Sequence, residues 1–154
     1  MRLGKREILV GLVFLFGQLA HADDASAKIY EYFGVFNDKD LEQITNNIYA
    51  MPLLVGGGEG HLVWNDAESA TNSLRNTYKE IESRGWKASV IDNTKTCTLS
   101  ANLALVDVKF SRMNGEGKAI PPEIRTTLYV LKKTAEGWRI IAFFGHGSAH
   151  RPSC

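Results

Sequence analysis

Residues 124–146 read IRTTLYVLKKTAEGWRIIAFFGH, and this segment has a clear strand pattern from which the fold class can be predicted. It contains two runs rich in β-branched and aromatic residues, Ile124 to Lys133 and Trp138 to His146. The turn-forming pair Glu136-Gly137 lies between them. Two such runs separated by a short turn are typical of a β-hairpin, so we expect the folded domain to end in a pair of antiparallel strands.

The register of this hairpin follows from its turn. If the turn is symmetric about Ala135 and Glu136, four cross-strand pairs are expected: Leu131 with Ile140, Tyr129 with Ala142, Thr127 with Phe144, and Arg125 with His146. Strand side chains alternate between faces, so these eight side chains share one face, which Trp138 joins. A bulge of one residue would instead place Arg125 and His146 on different faces.

On the N-terminal side of this hairpin, the spacing of apolar residues changes from helical to strand periodicity at Trp86. Two further strands are expected at Lys87 to Leu99 and at Leu103 to Met113. Apolar residues at helical spacing predict helices over three earlier segments: Ala25 to Phe36, Leu41 to Ile48, and Ala67 to Ile81. Helices followed by antiparallel strands predict one α+β domain, with the helices on one face of a curved sheet.

The region between the second and third helices has weaker signals. Met51-Pro52 is expected to end the second helix, because proline disfavours helical geometry at the preceding residue. Leu53 to Val55 is a candidate short strand. Gly56 to Gly60 lacks the Gly-Lys-Ser/Thr ending of a phosphate-binding loop, so a flexible connection is expected there. Asn65 with Glu68 predicts a capped start for the third helix.

The order of these motifs resembles the nuclear transport factor 2-like superfamily. A first helix leads through Asn37-Asp38-Lys39-Asp40-Leu41 into a short second helix, and the closing hairpin carries Tyr129-Val-Leu-Lys-Lys133, Gly137-Trp138-Arg139-Ile140 and His146. Similar endings occur in the SnoaL-like polyketide cyclases and related small hydrolases and isomerases. The resemblance spans Ala25 to His146. It implies a cone-shaped domain, with N-terminal helices packed on a strongly curved antiparallel sheet around a central pocket.

The first 22 residues have the order of a secretory signal peptide. A basic start, Met1 to Glu7, precedes the apolar run Ile8 to Phe16, and Gln18 to Ala22 ends in small residues. The apolar run is about half the length that a membrane-spanning helix needs. We therefore expect a periplasmic or secreted protein with no membrane contact after cleavage. Its expected parts are a signal peptide (1–22), a folded domain (23–146) and a C-terminal tail (147–154).

Composition argues against several function classes. The 154 residues include 18 Lys and Arg against 17 Asp and Glu, which gives a net charge of +1. Without the first 22 residues, which hold three basic and one acidic side chain, the net charge becomes −1. A nucleic-acid partner usually needs a concentrated basic face, so none is expected. The histidines and cysteines lack metal-ligand spacing, and no metal or other cofactor is expected.

Cys97 and Cys154 are an even pair in a chain that we expect to be exported. Exported proteins mature where thiols can oxidise. A disulfide between them would pin the tail from Gly147 onward to the sheet and would stabilise the fold by about 2–4 kcal/mol. Two unpaired thiols, with Cys97 as a small core residue, are the alternative.

The face shared by the hairpin side chains has the composition of a small-molecule pocket, with apolar walls and a few polar groups. The candidate pocket residues are Tyr129, Trp138, Phe144, Arg125 and His146, together with Trp64 at the rim. Ordinary sheet core, with Arg125 and His146 at a wet edge, is the alternative interpretation.

Asp107 is a further catalytic candidate. Val106 and Val108 belong to the more apolar face of their strand, so Asp107 is expected to point away from the pocket, towards solvent or a dimer surface. If the two faces are reversed, Asp107 becomes the best candidate for a general base. Enzymes of the ketosteroid-isomerase type use an interior carboxylate in that role.

Two main function hypotheses follow, because the superfamily includes enzymes, ligand binders and interaction modules. The first is an exported domain that binds a small, mostly apolar molecule in a central pocket, as a homodimer formed through the outer sheet face. The second is a cofactor-free enzyme of the SnoaL or ketosteroid-isomerase type that performs acid–base chemistry on an apolar substrate. In that enzyme His146 would be base or acid, and Arg125 would stabilise developing negative charge. An interaction module with a filled core is a third hypothesis.

Overall fold

The computed structural model describes residues 25–149 and 151–154, so the predicted signal peptide lies outside the described residues. Three helices are present: α1 (Ala25–Asp38), α2 (Leu41–Gln43), which continues as a π-helical turn over Ile44–Ile48, and α3 (Ala67–Ser83). The three predicted helices are therefore confirmed. Within the described residues, none of the helices has the length and apolar character needed to cross a membrane.

Six strands form one sheet in the order β2-β1-β6-β5-β4-β3. Their bounds are β1 (Tyr49–Gly57), β2 (Gly60–Trp64), β3 (Trp86–Ser100), β4 (Leu103–Asn114), β5 (Arg125–Thr134) and β6 (Gly137–His146). Neighbouring strands are antiparallel except β1 and β6, which are parallel. The predicted α+β fold, with N-terminal helices packed on a curved and mostly antiparallel sheet, is confirmed.

The two faces of this sheet have different environments. The inner face carries Val106, Val108 and Tyr129 and packs against the helices, whereas the outer face carries Lys95 and Asp107. Strand residues that pair directly point to the same face, and residues one position apart point to opposite faces. By this rule, each strand side chain belongs either to the inner face or to the outer face of the sheet.

Helix α1 is fixed to the inner face by its apolar stripe and by one polar side chain at its end. Ile29 and Phe33 belong to the buried stripe, as their spacing predicted. The amide nitrogen of Asn37 donates to the backbone oxygen of Ser89 at 3.0 Å, and its side-chain oxygen accepts from the Ser89 backbone nitrogen at 2.7 Å. This pair of hydrogen bonds attaches the end of α1 to β3.

Residues 49–64 depart from the prediction. Met51-Pro52 lies inside β1 instead of ending a helix. The segment Gly56 to Gly60, predicted as a flexible connection, is the end and turn of a β-hairpin, because Gly57 pairs with Gly60. The first four residues of β2 are exposed, so this strand lacks the alternation of apolar and polar residues from which strands are recognised.

The start of α3 was predicted one residue too early. Asp66 caps the helix: its carboxylate accepts from the backbone nitrogen of Ser69 at 2.8 Å, and the Ser69 hydroxyl accepts from the Asp66 backbone nitrogen at 3.2 Å. The hydrogen bonds from Ser69 lower the pKa of Asp66. The predicted pair Asn65 and Glu68 therefore does not form the cap, although the capping arrangement is of the expected kind.

The hairpin of β5 and β6 contains a bulge at Ile141. Leu131 pairs with Ile140 as predicted, but Val130 pairs with Ala142, which leaves Ile141 without a direct partner on β5. The remaining predicted pairs are wrong by one residue for this reason: Tyr129 pairs with Phe143, Thr127 with Gly145, and Thr126 with His146. The bulge exchanges the β6 side chains between faces, so Phe143 points inward where Phe144 was expected.

Candidate functional site

A cavity of about 170 Å³ lies between the inner face of the sheet and helices α1 and α3. Its walls are aromatic and aliphatic, with a few hydroxyl groups and one guanidinium among them. The residues that line it are Tyr32, Phe33, Phe36, Val55, Trp64, Leu74, Thr77, Ser89, Phe110, Arg112, Thr127, Tyr129 and Phe143. We refer to it below as the inner cavity.

Tyr32 lies at the centre of an aromatic wall of this cavity. Its ring centroid is 5.6 Å from that of Tyr49 and 5.8 Å from that of Tyr129. The Tyr49 hydroxyl donates a hydrogen bond to the Tyr32 oxygen at 3.0 Å. Burial raises the pKa of Tyr32 to about 12 and raises the pKa of Tyr49 and of Tyr129 well above the usual value. At neutral pH the wall therefore offers hydroxyl groups without charge.

The aromatic wall continues through Phe143 to Trp64. The Phe143 ring centroid is 5.8 Å from the rings of both Tyr129 and Trp64. Trp64 is buried, and its Nε1 has no hydrogen-bond partner among the residues that the structure describes. An indole N–H is a donor only, so an acceptor that enters the cavity could satisfy it.

Arg112 supplies the second unsatisfied donor. Its side chain projects from β4 to line the inner cavity, and its buried Nε has no hydrogen-bond partner in the described part of the chain. Burial lowers the pKa of Arg112, although an arginine in a protein keeps its charge. Leaving a buried donor unsatisfied costs about 1–3 kcal/mol, and more when the group is charged. Arg112 is thus a partly buried cation at the cavity wall with one unsatisfied donor, Nε.

A wider groove adjoins the inner cavity. The two share Phe110, Arg112 and Thr127, so these three residues mark the mouth of the cavity. The groove is also lined by Arg125 and His146. We refer to it as the outer groove.

The arginines beside this mouth differ in their hydrogen bonding. Arg125 donates to the carbonyl oxygens of Ile120 at 3.2 Å and of Pro121 at 3.0 Å. Arg84 donates to the Pro121 carbonyl as well. Burial, and then repulsion from Arg112 and Arg84, lowers the pKa of Arg125. Arg84 and Arg125 therefore hold the segment between β4 and β5 in place, while Arg112 keeps an unsatisfied donor.

The structure brings together only some of the predicted pocket residues. Tyr129 and Trp64 line the inner cavity. Trp138 belongs to the buried core but does not line the cavity. Phe144 lies on the outer face against Gly56, where an added Cβ would come within 2.9 Å of the Phe144 ring. Phe144 is excluded from the cavity by the bulge that brings Phe143 into it.

Arg125 and His146 are not the cross-strand pair that the symmetric turn predicted. Arg125 pairs with Phe110 and points to the inner side, whereas His146 pairs with Thr126 and points to the outer side. Both residues line the outer groove, and neither lines the inner cavity. The physical reason is again the bulge at Ile141, which shifts the register of β6 by one residue.

Asp107 points to the outer face, as predicted, but it is only 1% exposed and does not reach solvent. Its carboxylate lies 2.6 Å from Nε2 of His146 and also accepts a hydrogen bond from Nε of Arg151. Nδ1 of His146 lies 3.1 Å from the carbonyl oxygen of Gly147. Both histidine nitrogens therefore face acceptors, and the carboxylate is held between an imidazole and a guanidinium.

The C-terminal tail explains why Asp107 is buried. Cys154 forms a disulfide with Cys97 on β3, with Cα atoms 5.9 Å apart, so the structure contains the first of the two alternatives that the sequence left open. Nη1 of Arg151 donates to the side-chain oxygen of Asn93 at 2.7 Å, and Nζ of Lys95 donates to the carbonyl oxygen of Pro152 at 2.7 Å. The tail thus crosses the outer face from β6 to β3 and covers Asp107.

The polar groups that line the inner cavity are mainly hydrogen-bond donors. Among the described residues that line it there is no carboxylate, imidazole or thiol. Among residues 25–149 and 151–154, His, Cys, Asp and Glu do not cluster in threes that could hold a metal ion. The cavity instead presents neutral phenols, an indole N–H and one guanidinium, all of which donate hydrogen bonds.

Sequence reasoning missed Arg112 and Phe143. Arg112 shares the inner face with Phe110, two residues earlier on the same strand, and this alternation was a signal that could have found it. Phe143 is adjacent to Phe144, and only the bulge decides which of the two rings enters the cavity.

Solved structures with the same fold are numerous and only distantly related in sequence. A protein of unknown function with a cystatin-like fold from Nostoc punctiforme is 12% identical, with a TM-score of 0.64 over 79% of this chain and 86% of that one. An NTF2-like protein from Novosphingobium aromaticivorans is 12% identical, with a TM-score of 0.63 over 81% and 80% of the two chains. A ketosteroid isomerase-like protein from Erwinia carotovora atroseptica is 18% identical, with a TM-score of 0.56 over 79% and 92%.

The TM-scores establish a shared fold, whereas sequence identities this low leave the activity open. The curated proteins contain no match to this chain. The family model of the NTF2-like protein DUF6841 matches residues 23–148, which include every helix and strand described above. The superfamily predicted from the sequence motifs is thereby confirmed, and the chain belongs to the NTF2-like family DUF6841.

Proposed function

We propose that this protein binds a small, mostly apolar molecule in the inner cavity. The observation that carries the proposal is the combination of aromatic walls with two buried donors, Trp64 Nε1 and Arg112 Nε, that have no acceptor within residues 25–149 and 151–154. Burying such donors destabilises a fold unless an acceptor is supplied. A bound molecule with an apolar body and an acceptor group would bury the aromatic surface and satisfy a donor at the same time.

The size of the cavity limits the molecule to about one aromatic ring. The volume of about 170 Å³ is close to that of an engineered apolar cavity of about 150 Å³ that binds benzene. Larger ligands would have to extend through the mouth, past Phe110 and Thr127, into the outer groove.

A cofactor-free acid–base enzyme is the alternative function. The observation in its favour is the 2.6 Å contact between His146 and Asp107, a pairing that orients a catalytic imidazole in many enzymes. Two observations argue against it. Arg151 shares the same carboxylate, and both His146 nitrogens face acceptors, which leaves neither free to take a proton from a substrate. If the alternative is correct, His146→Ala would abolish turnover of a bound molecule while leaving its binding intact.

We also propose that the protein acts outside the cytoplasm. The Cys97–Cys154 disulfide supports this location, since such bonds persist in oxidising compartments.

A homodimer formed through the outer face would have to use the part of that face beside the C-terminal tail, since the tail occupies the surface near Asp107.

A cavity-filling substitution tests the binding proposal. Toluene is the probe, and isothermal titration calorimetry measures its dissociation constant. Thr77 lies on α3 and lines the cavity, so Thr77→Phe places a ring where the probe would bind. We expect the variant to weaken toluene binding by roughly tenfold or more, because overpacking competes with the ligand for the same space.

The matched control is Thr71→Phe, which makes the same change on the same helix outside the cavity. It is expected to bind toluene as the unaltered protein does. Equal weakening of toluene binding in both variants would refute the binding proposal, as would the absence of saturable binding of toluene and of the polar single-ring probes introduced below to the unaltered protein. Circular dichroism confirms that each variant is folded before it is titrated.

A further inference from the structure

We propose that the natural ligand of the inner cavity is a small aryl monocarboxylate. In this arrangement the ring lies on the aromatic wall, and the carboxylate pairs with Arg112 at the mouth. The inference rests on the proposed function, since it assigns a chemical class to the ligand of the same cavity.

The need for an anion follows from the state of Arg112. The guanidinium is permanently charged and half-buried, and its buried Nε has no hydrogen-bond partner among the residues that the structure describes. Withdrawing part of a charged group from water is costly unless the group is paired and hydrogen-bonded. A planar carboxylate matches the fork of guanidinium donors and would supply the missing charge and the missing acceptor together.

The charges around the mouth also favour an anion. Arg84, Arg112 and Arg125 lie close enough together that Arg112 and Arg84 lower the pKa of Arg125 by repulsion. Arg84 and Arg125 already donate hydrogen bonds to backbone carbonyls. The carboxylate that faces this group is that of Glu80, which also acts on Arg112. Glu80 is exposed and lies 3.8 Å from Arg84. Solvent screens the exposed Glu80 carboxylate, so a single negative charge arriving at Arg112 is attracted by the guanidinium groups of Arg84, Arg112 and Arg125.

The orientation of the ligand follows from where Arg112 lies. Arg112 is shared by the inner cavity and the outer groove, so its guanidinium marks the entrance. The rings of Tyr129, Phe143 and Trp64 lie further along the wall, with successive centroids 5.8 Å apart. A ligand that pairs its carboxylate with Arg112 therefore directs its ring into the aromatic part of the cavity, where aromatic side chains can contact it.

The cavity also selects against larger anions. Its volume of about 170 Å³ accommodates about one ring with a short substituent. Among the described residues that line it, Arg112 is the one cationic side chain, so a dianion would keep a charge unpaired. A monoanion with one aromatic ring satisfies both limits.

The experiment compares benzoate with benzamide, which has nearly the same shape and no charge. Both are titrated at pH 7 into the disulfide-bonded protein by isothermal titration calorimetry, with toluene as a third probe. A charge-assisted hydrogen bond to a buried guanidinium is expected to make benzoate bind roughly 10-fold to 100-fold more tightly than benzamide. Equal or weaker binding of benzoate would overturn the inference.

Arg112→Met tests the assigned partner, because methionine keeps much of the side-chain length without charge. The variant is expected to lose the preference for benzoate over benzamide and to keep its affinity for toluene. The control is Lys109→Met, which removes a positive charge from the outer face of the same strand and should keep the preference. A preference that survives in Arg112→Met, or is lost in Lys109→Met, would overturn the assignment.

The three probes separate this inference from the proposed function. Toluene binding without a preference for benzoate would leave the binding function standing and overturn the aryl carboxylate. Failure of toluene, benzamide and benzoate alike would overturn both. The comparison of benzoate with benzamide on the unaltered protein decides the inference even if Arg112→Met does not fold.

Discussion

Raising the pH from 10 to 12 is expected to unfold this protein. Four tyrosines have a pKa raised mainly by burial: Tyr32, Tyr49, Tyr78 and Tyr129. In the unfolded chain a tyrosine ionises near pH 10, so above that pH the unfolded state binds fewer protons than the folded state. Stability is therefore fully present below pH 10 and falls as the pH rises towards the folded-state pKa, which for Tyr32 is about 12.

The expected effect is large because four groups act together. Each tyrosine that ionises only in the unfolded chain removes about 1.4 kcal/mol of stability per pH unit. Four of them remove about 5 kcal/mol per unit, which is comparable with the whole stability of a typical domain, about 5–15 kcal/mol. Urea denaturation at a series of pH values from 8 to 11 measures this slope.

A pair of variants assigns the effect to the buried phenols. Tyr32→Phe is expected to reduce the slope by about one proton. Tyr30→Phe changes an exposed ring on the same helix and serves as the matched control. Stability that stayed constant up to pH 11, or a slope that Tyr32→Phe left unchanged, would contradict the described burial of the tyrosine cluster.

Loss of the Cys97–Cys154 disulfide is expected to lower the free energy of unfolding by about 4 kcal/mol. The bond closes a segment of 57 residues, and releasing it restores the conformational freedom of that segment to the unfolded chain. The folded state also loses the anchor that holds Arg151 over the Asp107 carboxylate. Urea denaturation of the double variant Cys97→Ala/Cys154→Ala measures the change.

Reducing agent provides the control for this prediction. Dithiothreitol should destabilise the unaltered protein by about the same amount as the double substitution, and it should not affect the double variant. A difference below about 1 kcal/mol, or native thiols that react with a thiol reagent before reduction, would show that the tail is not attached by this bond.

The main strands were predictable from local residue patterns. The four runs that became β3 to β6 are rich in β-branched and aromatic residues and are bounded by turn-forming residues, and both signals are local. Strand β2 was missed because four of its five residues are exposed, so burial imposes no alternation on them. The parallel contact of β1 with β6 joins segments far apart in the chain, and no local pattern encodes it.

The candidate site was predictable only in part. Tyr129 was identified from the face that it shares in the hairpin, and Trp64 from its position beside the glycine-rich segment; both line the inner cavity. The sequence allowed for a bulge in this hairpin but did not locate it at Ile141. The bulge places Phe143 in the cavity instead of Phe144, and it separates Arg125 from His146. The burial of Asp107 depends on a tail that crosses the sheet, which strand alternation alone does not encode.

The most direct test of binding in the inner cavity locates a bound ring inside the protein. In a sample of ¹³C-labelled protein with saturating unlabelled toluene, isotope-filtered NMR detects contacts between the ring protons and protein methyl groups. We predict intermolecular contacts to the methyl groups of Val55 and Leu74, which line the inner cavity. Contacts only to exposed methyl groups such as those of Leu62 and Val90, or none at all, would contradict this prediction.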